Sequence, residues 1–128
     1  MKQLIAIFGV SGAILLIIGC GKAWQMNYGE PAAQFNGADI ATKGTVFVGE
    51  KVTVKGAVAT VDTSVPGDAV VTLEDGIICK FGKFKAMAEG CKVGEIVFVD
   101  GFLKRCNPGD VVLDPAIGRD PTAPFSPK

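Results

Sequence analysis

The chain has 128 residues, room for one domain and not two. Its 13 basic and 13 acidic side chains cancel, so no strong field draws it toward nucleic acid or anionic lipid. It contains no histidine, which excludes Ser-His and Cys-His nucleophile pairs, histidine general bases and histidine metal ligands.

Met1-Lys2-Gln3 is a short basic start, and residues 4–18 form an apolar run softened by Gly9 and Gly12. Ile17-Ile18-Gly19-Cys20 follows. This tetrapeptide resembles a bacterial lipobox, in which aliphatic and small residues precede a cysteine. The resemblance implies cleavage before Cys20, a diacylglyceryl group on its thiol and acylation of the new amine. Several acyl chains on one residue anchor stably where one does not. Ile17 stands where Leu is more usual, and Gly21 follows the cysteine. No Asp follows Cys20, so retention at an inner membrane is not expected. The alternatives are an uncleaved membrane helix and a cleaved, lipid-free signal. The fifteen-residue run is short for a span, which needs roughly 20. All three readings place the domain in a bacterial cell envelope, facing the periplasm or the exterior.

Residues 20–44 have weak periodicity and read as a lipid-anchored linker, with a short helical turn near 38–42. Trp24 and Tyr28 suit either a membrane interface or packing on the domain. From Val46 the pattern changes to period two. Val52, Val54, Gly56 and Val58 alternate with Thr53, Lys55 and Ala57. Pro66-Gly67 marks a turn, residues 69–73 a second strand, Asp75-Gly76 a hairpin and 77–81 a third strand. Residues 84–89 are helix-prone and stop at Gly90. Residues 96–103 read as a fourth strand, Asn107-Pro108-Gly109-Asp110 as a turn and 111–113 as a fifth strand. The proline-rich residues 118–128 read as an extended tail.

One stretch echoes another in frame: VGEKVTVKG at 48–56 and VGEIVFVDG at 93–101. Each is a Gly-Glu turn, an alternating strand and a glycine that suggests a bulge or bend. The two read as long, bent strands of one barrel. Three strands, a short helix and two more strands is the order of an OB-fold, a five-stranded Greek-key barrel. The expected class is therefore all-β: a signal or anchor helix at 1–19, the linker, a barrel over 45–117 and the tail. A small open β-sandwich is the alternative.

Val54-Lys55-Gly56, Ile77-Ile78-Cys79-Lys80-Phe81, Lys92-Val93-Gly94-Glu95 and Asp110-Val111-Val112-Leu113 together resemble the tRNA-anti-like OB-fold lipoproteins. The resemblance covers roughly residues 44–115. It implies the barrel fold and carries no catalytic residue; the family's name records a shape and does not imply tRNA binding.

With Cys20 committed to lipid, Cys79, Cys91 and Cys106 remain. No Cys-x-x-Cys occurs, so neither a redox motif nor a zinc ribbon is indicated; no metal and no cofactor are expected. An oxidising compartment permits a disulfide. Cys91 and Cys106 flank the fourth strand and should lie at opposite ends. Cys79 and Cys106 both lie near the starts of strands that run as parallel neighbours in an OB-fold. Cys79–Cys106 is thus the favoured pair, closing a loop for about 3–4 kcal/mol; Cys79–Cys91, or three reduced thiols, are the alternatives.

Lys80, Phe81, Lys83, Phe84 and Lys85 interleave charge and rings, as single-strand binders do. Lys104 and Arg105 extend the candidate ligand face, which should comprise residues 69–81 with loops near 62–68 and 104–110. The favoured reading of this segment, however, has both rings at the end of a strand filling the barrel mouth and the lysines solvated. Acids at turns do what turns require, so an enzyme is not expected. The expected role is a membrane-anchored binding module for an envelope protein or oligosaccharide. A structural envelope component and, less favoured, a single-stranded nucleic acid binder are the alternatives.

Overall fold

The computed structural model describes residues 30–128. Cys20, the signal segment, Trp24 and Tyr28 lie outside the described residues.

Among the described residues there are six strands and two short helices: β1 Ala33–Asn36, α1 Gly37–Lys43, β2 Lys51–Asp62, β3 Ala69–Leu73, β4 Ile77–Gly82, α2 Lys85–Glu89, β5 Ile96–Asn107 and β6 Asp110–Arg119. A single 3-10 turn, Thr45–Phe47, leads into β2. Strands β2-β3-β4-β6-β5 form a sheet that closes where β2 pairs with β5. Parallel β4–β6 is the one parallel contact within the barrel, and the order is that of an OB-fold. β1 lies outside the barrel, parallel to the first half of β2.

Period-two alternation decides which side chains go inside. Val52, Val54 and Val58 of β2, Val71 and Leu73 of β3, and Ile77, Cys79 and Phe81 of β4 are all buried in one core. Each large apolar side chain so buried contributes about 1.5–3 kcal/mol. Two helices too short to stand alone stop the barrel at either end. α1 inserts Ile40, which is fully buried, and its Gly37 lies against Lys55 and Ile77. α2 buries Met87 and Ala88, and the Gly118 N–H points at the Met87 sulfur, 3.0 Å away.

The echoed segments turn out to be each other's partners. Val54 pairs with Val99, and around that centre Val52 faces Gly101 while Gly56 faces Val97. The flanking turns repeat the relation. Gly49 donates to the Leu103 carbonyl as Gly94 donates to that of Val58, and both glycines have positive φ. The echo thus encodes a local two-fold pairing that closes the barrel.

Three boundaries differ from the sequence reading. β1 and α1 lie inside the stretch read as linker, α1 where a short helical turn was expected, because Ala33, Phe35 and Ile40 supply core that the barrel strands leave open. β5 and β6 run four and six residues beyond the expected ends. Pro115 sits at a bulge where Phe102 faces both Asp114 and Pro115, so its missing N–H costs no ladder bond. The tail is also not loose: residues 120–128 fold back over the barrel.

Candidate functional site

The outer face of β3 and β4 is open. Val70 and Thr72 of β3 point away from the core, paired with Lys80 and Ile78 of β4. The row continues to Thr60 on β2, and past Ile78 to Val112 on β6 and Arg105 on β5. One cross-strand row, Thr60–Thr72–Ile78–Val112–Arg105, therefore crosses all five barrel strands. It offers hydroxyls, the half-buried Ile78 and a guanidinium, and no ring; Val112 within it is buried.

The sequence-predicted ligand residues divide on this frame. Lys80 lies on the open face, half-buried among its neighbours. Phe81 faces inward at 2% exposure, so it is core and no stacking platform. Gly82, with φ +61°, turns the chain out of β4. Phe84 then packs half-buried against the core at the start of α2. Lys83 lies 5.7 Å over the Phe84 ring, and Lys85 sits 3.9 Å from Glu89; both are exposed. Lys104 is exposed at the far edge. Arg105 makes a bidentate pair with Asp110, Nε–Oδ2 at 2.8 Å and Nη2–Oδ1 at 3.0 Å. That contact raises the Arg105 pKa further and fixes its planar fork beside the β5–β6 turn. The set is therefore split between the open face, the α2 mouth and the core.

The opposite outer face is covered. Thr53 on β2 donates to Asp100 on β5 at 2.5 Å, and Arg119 Nη1 donates to the other Asp100 oxygen at 3.0 Å. The Lys51 ammonium lies 4.0 Å from the same carboxylate. Asp100 is only 6% exposed, and two cations with a hydroxyl are what keep such a charge tolerable. Residues 120–128 lie across this cluster as a strap. Arg119 Nη2 donates to the Pro124 carbonyl at 3.0 Å, and Phe125 stands edge-on to Phe98 with centroids 5.2 Å apart. The Lys128 and Ser126 amides donate to the Gln34 main chain and side chain at 2.9 and 2.7 Å. Neither the buried cluster nor the strap was foreseen from sequence, although Asp100 in an apolar alternation was a signal for one of them.

Beside α2, Phe81, Met87, Cys91, Ile96, Phe98 and Pro121 line a mostly apolar cavity of about 210 Å³. The thiols of Cys79, Cys91 and Cys106 are all free in the structure. The Cys79–Cys106 bridge is not formed, for a reason of direction. The starts of β4 and β6 are neighbours as expected, with Ile77 opposite Val111. Cys106, however, turns its Sγ toward α1, 3.1 Å from the Ile40 carbonyl, while Cys79 points into the core. Burial pushes all three thiols up, Cys91 with a further push from Glu95 and Cys79 with one from Cys91. None has the lowered pKa of a nucleophile. Among the described residues no group of three or more acids and cysteines is placed to hold a metal ion.

No family profile and no curated protein sequence matches this chain. Solved structures do. A candidate nucleic acid-binding lipoprotein from Klebsiella pneumoniae subsp. pneumoniae aligns with a TM-score of 0.54 at 16% identity, over 68% of this chain and 91% of that one. A candidate aspartyl-tRNA synthetase from Leishmania major aligns at 0.48 and 12% identity, over 81% of this chain and 27% of that one. The S. pombe Stn1-Ten1 complex aligns at 0.36 and 19% identity, over 56% and 60%. At these identities the first likeness speaks to the fold, and it agrees with the barrel traced above.

Proposed function

We propose that this protein is a membrane-tethered OB-fold module of the tRNA-anti-like kind, held in the bacterial envelope through Cys20, which binds a macromolecular partner and has no catalytic role. One observation carries the reading. The two mouths are filled by α1 and α2, and the outer face of β2 and β5 is covered by the chain's own strap. The β3–β4 face is left open, and that is the face on which OB-folds take extended ligands. Its chemistry favours a protein partner. Base stacking needs exposed rings, and the row from Thr60 to Arg105 presents none, whereas its hydroxyls, the half-buried Ile78 and a fixed guanidinium suit hydrogen bonding and apolar contact with a protein, arginine being enriched at such interfaces. The lipobox supports the tether, and the K. pneumoniae lipoprotein of the same fold is consistent with it.

The test is site-specific photocrosslinking of the full-length protein in its own membranes. A photoreactive residue at Thr72 should capture a discrete protein, and one at Thr122 on the strap should not. Equal capture at both positions, or capture of nucleic acid alone at Thr72, would overturn the reading. A protein recovered entirely in the soluble fraction would overturn the tether.

A further inference from the structure

We infer that the α1 end of the barrel rests on the lipid surface, with Val46 and Val48 entering the headgroup region. The inference depends on the tether proposed above and adds an orientation that the tether alone does not supply. The chain enters the domain at this end. Glu30 is two residues before Ala32, whose amide donates to the Lys51 carbonyl at the start of β2. The 3-10 turn lies alongside, held by the bond from Gly49 to Leu103 and by the contact of Phe47 with Phe35, centroids 5.8 Å apart. Its two valines face water: Val46 is 79% exposed and Val48 49%. An apolar pair that the fold leaves out, next to the point where the chain comes from the membrane, has the bilayer as its nearest apolar neighbour.

Reach agrees, and charge does not oppose it. Cys20 to Glu30 is ten residues, which span at most about 35 Å even fully extended, so the entering end stays close to the surface. Lys43 reaches the Lys128 carbonyl at 3.2 Å, and Lys128 lies 5.7 Å over the Phe47 ring. Lys104 follows Leu103, whose main chain bonds Gly49 and Glu50. Lys128 thus lies over the ring between the two valines, with Lys43 on its carbonyl, which puts ammonium groups on this end where lysines meet headgroups. Glu30 and Glu50 share this end, so charge is nearly balanced and the valines carry the orientation. The exposed Val65, Val93 and Ile96 belong to loops and strand ends on the α2 side of the barrel. Ile96 lies opposite Ala57, six residues along β2 from Lys51, or roughly 20 Å. The far side is therefore turned away from lipid.

The experiment uses the full-length, lipidated protein in vesicles of phosphatidylethanolamine and phosphatidylglycerol. Trp24→Phe removes the only tryptophan, and Val46→Trp or Val65→Trp supplies a single reporter at an exposed, fold-tolerant position. Brominated lipid should quench the reporter at 46 several-fold more than that at 65, and emission at 46 should shift to the blue. Equal quenching at the two positions, with the protein bound to the vesicles, overturns the orientation and leaves the tether standing. Protein that does not stay with the vesicles overturns both.

Discussion

A methyl group on Gly76 would collide with the main chain of Gly109. Two tight turns, β3–β4 and β5–β6, meet there, and the Gly76 carbonyl accepts the Val111 amide at 3.1 Å. Asp75 and Gly76, in the three-residue connection between Leu73 and Ile77, both have positive φ, +70° and +74°, the left-handed region that glycine enters freely and Asp tolerates. Gly76→Ala should therefore destabilise by about 2–3 kcal/mol, backbone strain and collision together. Gly49 makes a control. It also has positive φ, +94°, with nothing near the site of a new methyl, so Gly49→Ala should cost about 1 kcal/mol. Denaturant titration of the two variants separates the contributions, and equal losses would show that the contact between the turns is immaterial. The Asp75-Gly76 turn is legible in the sequence because its chemistry is local. Its contact with Gly109 is not, since it joins loops that only the closed barrel brings together.

The strap shows the same divide at the scale of an element. Three prolines in the last eight residues announce an extended segment, but nothing local says which face it covers. That follows from side chains elsewhere: Gln34 on β1, Phe98 and Asp100 on β5. β1 was illegible for a related reason, since four residues of alternation are too few to distinguish from linker. The strap begins with Asp120, whose carboxylate accepts the Thr122 amide at 2.8 Å and hydroxyl at 2.7 Å. These bonds, with help from Arg119, hold the Asp120 carboxyl below the usual aspartate value. A depressed folded pKa means that the group's stabilisation is complete above the unfolded pKa and is lost as pH falls through the folded one. Hydrogen exchange at Ser126 and Lys128, corrected for intrinsic rates, should thus lose protection below the ordinary aspartate range while Val54 and Val99 keep theirs. Asp120→Ala should show the loosened strap already at neutral pH, with little further acid response in that range. Retained protection in both cases would mean that Phe125 and the Gln34 bonds hold the strap without this turn.

At the scale of the whole molecule, the repeated VGE-x-V-x-V-x-G pattern gave away more than its residues separately. Its copies promised two long bent strands, and the pairing about Val54 and Val99 makes those strands the seam of the barrel. The open face was legible as residues 69–81, and the reading of Phe81 as a filling ring matches its burial; the split of the lysines between that face and the α2 mouth was not legible, because it depends on the turn at Gly82. Cys79 lies on β4, central to that barrel and fully buried, whereas Cys91 sits half-buried in the cavity wall beside α2. Their reactivity should therefore report two different openings. At mildly alkaline pH, iodoacetamide should modify Cys91 first, slowed by its raised pKa and nearly indifferent to low denaturant. Cys79 should react only through global unfolding, so the logarithm of its rate should rise with denaturant along the slope of the equilibrium transition. Mass spectrometry of timed digests follows each thiol separately. A Cys79 rate that matched Cys91, or that ignored denaturant, would mean that β4 opens alone and the barrel is not one cooperative unit. Absence of both Cys79 and Cys106 from the labelled products of the unfolded, non-reduced chain would instead reveal the bridge that the direction of the Cys106 thiol argues against.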